Sequence, residues 1–177
     1  DAMSGKLLWS HAERREYEVS YPGGPRATPT VDDGQVFALG AMGHLTCLST
    51  KGMVQWKKDL GTEYGAPVPM WGHSASPLVH RDMVICMVGG AGSLIVAFDR
   101  RTGKERWRTL SARHGGYCPL QIVEHAGVSQ LIAWHPEGVT GHNPETGKLY
   151  WNVPIKPTNG SSIRAIGGRH LGLHFCR

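Results

Sequence analysis

A tryptophan that closes a short, similar stretch recurs four times along the 177-residue sequence. The stretches are DAMSGKLLW, LSTKGMVQW, FDRRTGKERW and HNPETGKLYW, and they end at Trp9, Trp56, Trp107 and Trp151. The tryptophans are separated by 47, 51 and 44 residues. This period is typical of four-stranded propeller blades and of helical HEAT-type repeats. We therefore expect the chain to repeat one structural unit.

Short apolar runs separated by glycine-rich turns fill each interval between the tryptophans. The second unit reads ATPTV, QVFAL, HLTCL and MVQWK, and the third and fourth units follow the same plan. Such runs have the length of strands, and no segment of about 12 residues shows the 3.6-residue apolar period of a helix. The pattern therefore predicts an all-β fold, a β-propeller made of four-stranded antiparallel blades.

The limits of the repeats predict a single partial β-propeller domain over residues 1–177. We expect the outer strand of a first blade at 1–10 and the start of a fifth blade at 161–177. Complete blades are expected at 27–60, 74–110 and 117–154. About three complete blades then lie between two partial ones, and their unpaired strand edges favour association.

The TGK triplets resemble the end of a phosphate-binding loop, but their context favours a hairpin turn. No G-x-x-x-x-G precedes Thr102, and a strand follows where a phosphate loop needs the N-terminus of a helix. Asp99 can accept hydrogen bonds from the amides ahead of it, and Gly103 can adopt a positive φ without steric cost. Gly147 is the equivalent glycine of the last unit. We predict structural turn roles for these three residues.

The repeated tryptophans require an explanation of their own. An outer strand can turn a large ring toward the adjacent blade, where it buries on the order of 200 Å². A ligand-binding aromatic cage is the alternative, but ligand sites are not normally repeated in every unit. We therefore predict inter-blade structural roles for Trp9, Trp56, Trp107 and Trp151.

The repeated D-x-x-T-G-K-x-x-W pattern, preceded by a stretch such as TPTVDDGQVFAL, resembles the repeat of the PQQ-like β-propellers. This quinoprotein alcohol dehydrogenase-like superfamily includes pyrroloquinoline-quinone (PQQ) enzymes and an outer-membrane assembly lipoprotein of Gram-negative bacteria. The resemblance covers nearly the whole chain and implies a tryptophan docking motif and seven or eight blades. It also implies that the chain is a bacterial fragment of a longer protein with a periplasmic or exported location.

Charge and composition give no sign of nucleic-acid, metal or membrane binding. The net charge is +5, but the basic residues are scattered along the chain. The four cysteines form no C-x-x-C motif, and no run of 18 apolar residues occurs. His170 and His174 would stand about 13 Å apart on a strand, which is too far for one metal ion. We expect no nucleic-acid partner, no metal site and no membrane span in this stretch.

The connections between successive units are long and contain aromatic, histidine and arginine side chains, which partner surfaces favour. Trp71 lies outside the repeated set, so it either packs over its loop as a lid or contacts a ligand. His73 and His114 either meet a ligand at the mouth of the channel or are solvated loop residues. The candidate residues for binding a protein or small ligand are Arg26, Tyr64, Trp71, His73, His114 and Tyr117.

No catalytic residue can be assigned, so we predict a non-catalytic binding or scaffold module without an identified cofactor. The resemblance implies one alternative, a PQQ- and calcium-dependent alcohol dehydrogenase whose site lies partly in missing blades. That enzyme would need carboxylate and amide ligands for calcium, an Asp base, an Arg near the quinone and a stacking Trp. The sequence has no adjacent cysteine pair and no C-x-x-C-H haem motif.

Overall fold

A computed structural model describes residues 1, 3–14, 16–17, 19 and 24–155. Within these residues the chain forms twelve strands and one short helix. In chain order they are β1 (Thr30–Asp32), β2 (Gln35–Leu39), β3 (His44–Ser49), β4 (Val54–Asp59), α1 (Leu60–Tyr64), β5 (Leu78–His80), β6 (Met83–Met87), β7 (Ile95–Asp99), β8 (Glu105–Thr109), β9 (Gln121–His125), β10 (Val128–His135), β11 (Gly138–His142) and β12 (Leu149–Val153).

Each group of four consecutive strands forms one antiparallel sheet with its strands in chain order. We call β1–β4 the first sheet, β5–β8 the second sheet and β9–β12 the third sheet. Together they confirm the prediction of an all-β fold built from four-stranded antiparallel units. No helix in the described residues is long and apolar enough to cross a membrane.

The predicted limits of the outermost units remain predictions. The described part of residues 1–10 contains a turn but no strand with a paired neighbour. The predicted start of a fifth blade at 161–177 lies outside the described residues, as do His170 and His174. The three sheets fall inside the predicted blades at 27–60, 74–110 and 117–154.

The second sheet is buried on both faces because it lies between the other two. Strand β6 reads MVICM, and all five of its residues are buried. Its side chains alternate between the two faces. Val84 and Cys86 pack with Phe37 and Leu39 of the first sheet. On the other face, Met83, Ile85 and Met87 pack with Leu131 and Ala133 of the third sheet.

A β-bulge lies beside the tryptophan in each sheet. The register between the third and fourth strands shifts at Cys47/Leu48, Ala97/Phe98 and Gly141/His142. Bulges bend a strand and re-aim its side chains. In each sheet the residue paired with the tryptophan is small, which leaves room for the ring. The pairs are Cys47 with Trp56, Ala97 with Trp107 and Gly141 with Trp151.

Three tryptophan rings lie against a turn glycine of the next sheet along the chain. A methyl group built on any of these glycines would stand 2.5–2.8 Å from the ring, so a larger residue does not fit there. The indole Nε1 of Trp9 also donates to the Thr50 carbonyl at 2.8 Å. Trp56 donates to the Arg100 carbonyl at 2.9 Å. The ring and glycine pairs are Trp9 with Gly52, Trp56 with Gly103 and Trp107 with Gly147.

Trp151 is placed differently from the other three tryptophans. Its ring lies over Gly141 of its own sheet, and its Nε1 donates to Gln130 Oε1 at 2.7 Å. The residues that would supply a following blade are outside the described part of the chain. An inter-blade role for Trp151 therefore remains a prediction, as does the contribution of the other three rings to stability.

The hairpin between β7 and β8 is organised by its aspartate and its glycine. Asp99 Oδ1 accepts hydrogen bonds from the amides of Arg101 and Thr102 at 3.1 and 2.9 Å. Gly103 has a φ of 69°, and its amide donates to the Asp99 carbonyl at 2.8 Å. Gly147 has a φ of 70° in the equivalent turn of the third sheet. A side chain at either glycine would be strained.

Arg100, in the same hairpin, joins the second sheet to the first through a buried polar network. The residue is only 9% exposed. Its Nε donates to Gln35 Oε1 at 2.9 Å, and its two terminal nitrogens contact the carboxylate and the carbonyl of Asp32 at 2.6 and 2.8 Å. The guanidinium carbon also lies 5.9 Å from the centroid of the Phe37 ring. The contacts satisfy a charge that is costly to bury alone.

Candidate functional site

The connection from β4 to β5 lies against the β2–β3 turn of the first sheet. The amide of Leu60 donates to the Gly43 carbonyl at 3.0 Å, and the amide of His73 donates to the Ala41 carbonyl at 2.8 Å. Gly72 approaches Ala41 so closely that a methyl group on it would stand 2.8 Å from the Ala41 Cβ. These two hydrogen bonds attach the connection, residues 60–77, to the β2–β3 turn at Leu60 and at His73.

The connection from β8 to β9 is fixed in the same way by the second and third sheets. The amide of Gly90 donates to the Ala112 carbonyl and that of Gly92 to Ser111 Oγ, both at 2.8 Å. A methyl group on Gly116 would stand 3.3 Å from the Pro136 ring in the β10–β11 turn. The two long connections therefore lie at the same end of the sheets and are held by their hairpin turns.

The two connections meet through an aromatic cluster formed by Trp71, His114 and Tyr117. The ring centroids of Trp71 and Tyr117 are 5.2 Å apart with their planes tilted by 39°. The amide of Trp71 donates to the Tyr117 hydroxyl at 3.4 Å. The His114 ring centroid lies 6.4 Å from that of Tyr117. All three side chains are half-buried, so each presents one side to solvent.

His73 lies behind this cluster in the interior. It is 3% exposed, and its Nε2 is buried without a hydrogen-bond partner among the described residues. Burial lowers the pKa of His73 to about 4, and the nearby His114 and His44 act in the same direction. The pKa of His114 is also lowered, first by burial and then by Arg113. His73 is therefore neutral at pH 7 and supports the loop from inside.

The burial of His73 predicts a loss of stability in mild acid. A histidine whose folded-state pKa is depressed stabilises the protein above its unfolded pKa of about 6.5, and this contribution disappears as the pH falls toward the folded value. We expect His73 to account for a loss of about 2 kcal/mol between pH 7 and pH 5. Urea unfolding of a His73→Gln variant should show a correspondingly weaker pH dependence. A His125→Gln variant, which changes an exposed histidine, should keep the parent's profile; equal profiles for His73→Gln and the parent would refute the assignment.

The structure places the other two candidate binding residues differently. Tyr64 packs edge-on against Phe98 at 6.1 Å between ring centroids, and its hydroxyl donates to Glu105 Oε2 at 2.9 Å. Burial and then Glu105 raise the pKa of the Tyr64 hydroxyl. Arg26 is half-buried and immediately precedes Ala27, which packs in the core between the first and second sheets. The contacts that build the aromatic cluster include neither residue.

Two local features of the β4–β5 connection were not expected from the sequence. The first is α1, a single turn of helix whose N-terminus is capped by Asp59, which accepts from the Thr62 amide at 3.0 Å. That hydrogen bond lowers the pKa of Asp59. The second is Met70, which is 68% exposed beside Trp71. The sequence contains a helix-capping pattern at Asp59–Thr62 and the triplet PMW at 69–71. Both are too short to show a helical or strand period, so neither predicts the helix or the exposed methionine.

A cavity of about 400 Å³ lies against the first sheet and was also not expected. Ala38, Thr46 and Leu48 line it from the face opposite the second sheet, and Tyr17 lines it from the preceding connection. Its rim has an ion pair between Glu13 and Lys57. The wall of the cavity is mostly apolar. Such a wall is equally suited to contact with another protein segment and to binding a ligand, so it does not identify a ligand site.

A calcium and quinone site would need converging oxygen ligands and an aromatic face for stacking. Among them, no three His, Cys, Asp or Glu side chains converge so as to hold a metal ion. Three of the aspartates have structural partners: Asp59 caps α1, Asp32 pairs with Arg100, and Asp99 closes its turn. The Trp71 ring already packs on Tyr117. No chemical step is therefore assigned to these residues.

Comparison with known families gives one match that covers most of the chain. A family model described as outer membrane protein assembly factor BamB matches residues 1–170. The chain is similar to outer membrane protein assembly factor BamB of Burkholderia pseudomallei (strain K96243), with 25% identity over 162 residues. The match covers 88% of this chain and 36% of that relative, so the chain spans about a third of the relative's length.

Solved structures share the fold at low identity. BamB from Moraxella catarrhalis is similar with a TM-score of 0.54 and 20% identity, covering 82% of this chain and 41% of that one. A quinohemoprotein alcohol dehydrogenase from Pseudomonas putida HK5 is similar with a TM-score of 0.53 and 23% identity, and the match covers 80% of this chain and 22% of that one. A europium-containing methanol dehydrogenase is similar with a TM-score of 0.57 and 16% identity, and the match covers 84% of this chain and 27% of that one. These likenesses show the fold alone, and they confirm the β-propeller prediction.

Proposed function

The chain belongs to the family of the outer membrane protein assembly factor BamB, and from this membership we propose that it is a non-catalytic β-propeller module that binds a protein partner. The fold alone supports both binding proteins and enzymes, so the proposal depends on the site. The observation that carries it is the aromatic cluster, where two connections from different sheets form one continuous surface.

The chemistry of this surface suits a protein partner. Met70 is 68% exposed and precedes the half-buried Trp71 in the chain, and the Tyr117 ring packs against that of Trp71. Methionine and aromatic side chains are enriched at interfaces: aromatic rings bury large areas with few rotatable bonds, and the flexible, polarisable methionine adapts to the partner's surface. The exposed Arg113 adds a cation at the edge of this surface. The rings are already packed, so binding orders few additional side chains.

The named relatives support a proposal for the partner and for the location. BamB is described as an outer membrane protein assembly factor, so the proposed partner is a protein of outer membrane assembly. The corresponding location is exported, on the periplasmic side. The module's role is that of a scaffold: the sheets hold the connections rigid, and the connections recognise the partner.

We expect substitution of the surface to weaken partner binding without unfolding the chain. The chain would be immobilised and exposed to a detergent extract of Gram-negative outer membranes, and retained proteins would be quantified by mass spectrometry. Met70→Ala and Trp71→Ala together should reduce retention of a specific partner at least about tenfold, since buried interface anchors contribute about 1–2 kcal/mol or more each. Met53→Ala is a matched control, because Met53 is 65% exposed in the β3–β4 turn at the other end of the sheets.

Equal retention by the parent and the double variant would reject this surface as the binding site. The dehydrogenase alternative is tested separately by adding PQQ and calcium and measuring alcohol-dependent dye reduction. Turnover that disappears with a chelator would overturn the non-catalytic proposal.

A further inference from the structure

The outer strand of the third sheet differs in charge from the outer strands of the other two sheets. Strand β4 contains Lys57, Lys58 and Asp59, and β8 contains Glu105, Arg106 and Arg108. Strand β12 reads LYWNV and contains no charged residue. Charged side chains on an edge strand are a common means of preventing unwanted strand pairing. Strand β12 therefore lacks a protection that the equivalent strands have.

The side chains of β12 are also unusually exposed for large apolar residues. Leu149 is 39% exposed, Tyr150 41% and Val153 47%. Strand β12 pairs with β11 on one side, and within the described part of the chain no strand pairs with its other edge. Among the described residues, its backbone donors and acceptors on that edge have no strand partner, and exposed apolar side chains lie beside them.

We propose that the free edge of β12 binds an extended segment of a partner protein as a fifth strand of the third sheet. Main-chain hydrogen bonds supply affinity in this mode, and alternate side chains of the added strand supply selectivity. The site is distinct from the aromatic cluster, because β12 lies on the outer side of its sheet and the cluster lies on the connections at one end.

The charge of the chain selects the chemistry of the partner. The chain has a net charge of +5, and Lys148 immediately precedes β12. A second copy would bring two positively charged chains together, whereas an apolar segment flanked by acidic residues is attracted. The occupant is therefore a strand-forming segment with alternating apolar residues and acidic flanks.

The length of the paired segment is limited by the ends of β12. The strand has five residues and is followed by Pro154, which has no amide donor. The turn that ends at Gly147 precedes it. An added strand can therefore pair over about five residues, or roughly 17 Å.

The test uses a synthetic peptide, EETVTVTVEE, titrated into the ¹⁵N-labelled chain while backbone amides are followed by NMR. We expect saturable shifts concentrated in Leu149–Val153, with protection of its amides from hydrogen exchange. A peptide with proline in place of the central valine should bind at least about tenfold more weakly, because it cannot donate at that position.

Matched substitutions on the protein separate the edge from a general charge effect. Val153→Asp should weaken peptide binding at least about fivefold, because it places an acid beside the acidic peptide. Val54→Asp makes the same change on β4, where Val54 is 41% exposed, and should leave binding unchanged. The proposal is overturned by the absence of saturable shifts in β12, by equal binding of the proline peptide, by equal effects of the two substitutions, or by self-association of the chain through β12 in sedimentation experiments. Partner retention through Met70 and Trp71 is measured in a separate experiment. The strand-pairing proposal and the proposed function can therefore be refuted independently of each other.

Discussion

Replacing Trp107 with alanine is expected to destabilise the chain by about 3–5 kcal/mol, the usual cost of removing a buried tryptophan. Trp107 is 9% exposed and packs in the core that joins the second and third sheets. The substitution removes the ring from the surface of Gly147 and leaves a cavity between two sheets. Because domain stabilities are about 5–15 kcal/mol, a loss of this size is a large fraction of the total. Urea unfolding followed by circular dichroism measures it.

Two variants provide the comparison for Trp107→Ala. Trp107→Phe retains an aromatic ring and should cost less than half as much. Trp71→Ala removes a half-buried tryptophan from a connection, and it should cost about 1 kcal/mol or less, because little core packing is lost. A Trp107→Ala variant as stable as Trp71→Ala would show that the ring does not support the joined sheets.

Replacing Arg100 with methionine is expected to cost about 2–4 kcal/mol. The substitution keeps much of the side-chain volume but removes the donors to Gln35 and Asp32. Gln35 is 9% exposed, so its side-chain oxygen is left buried without this donor. Removing one member of a buried polar pair costs more than the bond contributed, because the remaining group stays desolvated.

Arg106→Met is the matched control for Arg100→Met, since both arginines belong to the β7–β8 hairpin, Arg100 in its turn and Arg106 in β8. Arg106 forms an ion pair with Asp82, but its side chain is 46% exposed. Exposed pairs contribute about 0–1 kcal/mol, and added salt screens them. Similar losses for the two variants in urea unfolding would contradict a special role for the buried network.

The sheets were predictable from the sequence because their signals are local. The turn residues Asp99 and Gly103 lie four positions apart, and the strands between such turns have the length of a blade strand. The period of the tryptophans then places each turn in an equivalent position. A four-stranded antiparallel sheet needs no other information than this order of strands and tight turns.

The network around Arg100 was not predictable, because adjacent arginines have the same chemistry in a sequence. Arg100 is buried and bonded to the first sheet, whereas Arg101 is exposed in the same turn. Only the position of the neighbouring sheet distinguishes them. His142 is a similar case: it is fully buried, and its Nδ1 donates to the Gly147 carbonyl at 3.1 Å.

The candidate site was predictable in part. The sequence identified Trp71, His73, His114 and Tyr117 as loop residues of an interface type, and the structure brings them to one region. The contact between Trp71 and Tyr117 joins residues 46 positions apart in the chain. No local pattern encodes such a contact. For the same reason, the sequence could not show that Tyr64 packs against the core.

A double-mutant cycle between Trp107 and Gly147 tests the central claim, that a ring on a turn glycine joins successive sheets. The three heavy atoms nearest to a methyl group built on Gly147 all belong to the Trp107 ring. Gly147→Ala should therefore cost about 1–3 kcal/mol more in the parent than in a Trp107→Leu background, where the clash is absent. Additive losses within about 0.5 kcal/mol would contradict the claim.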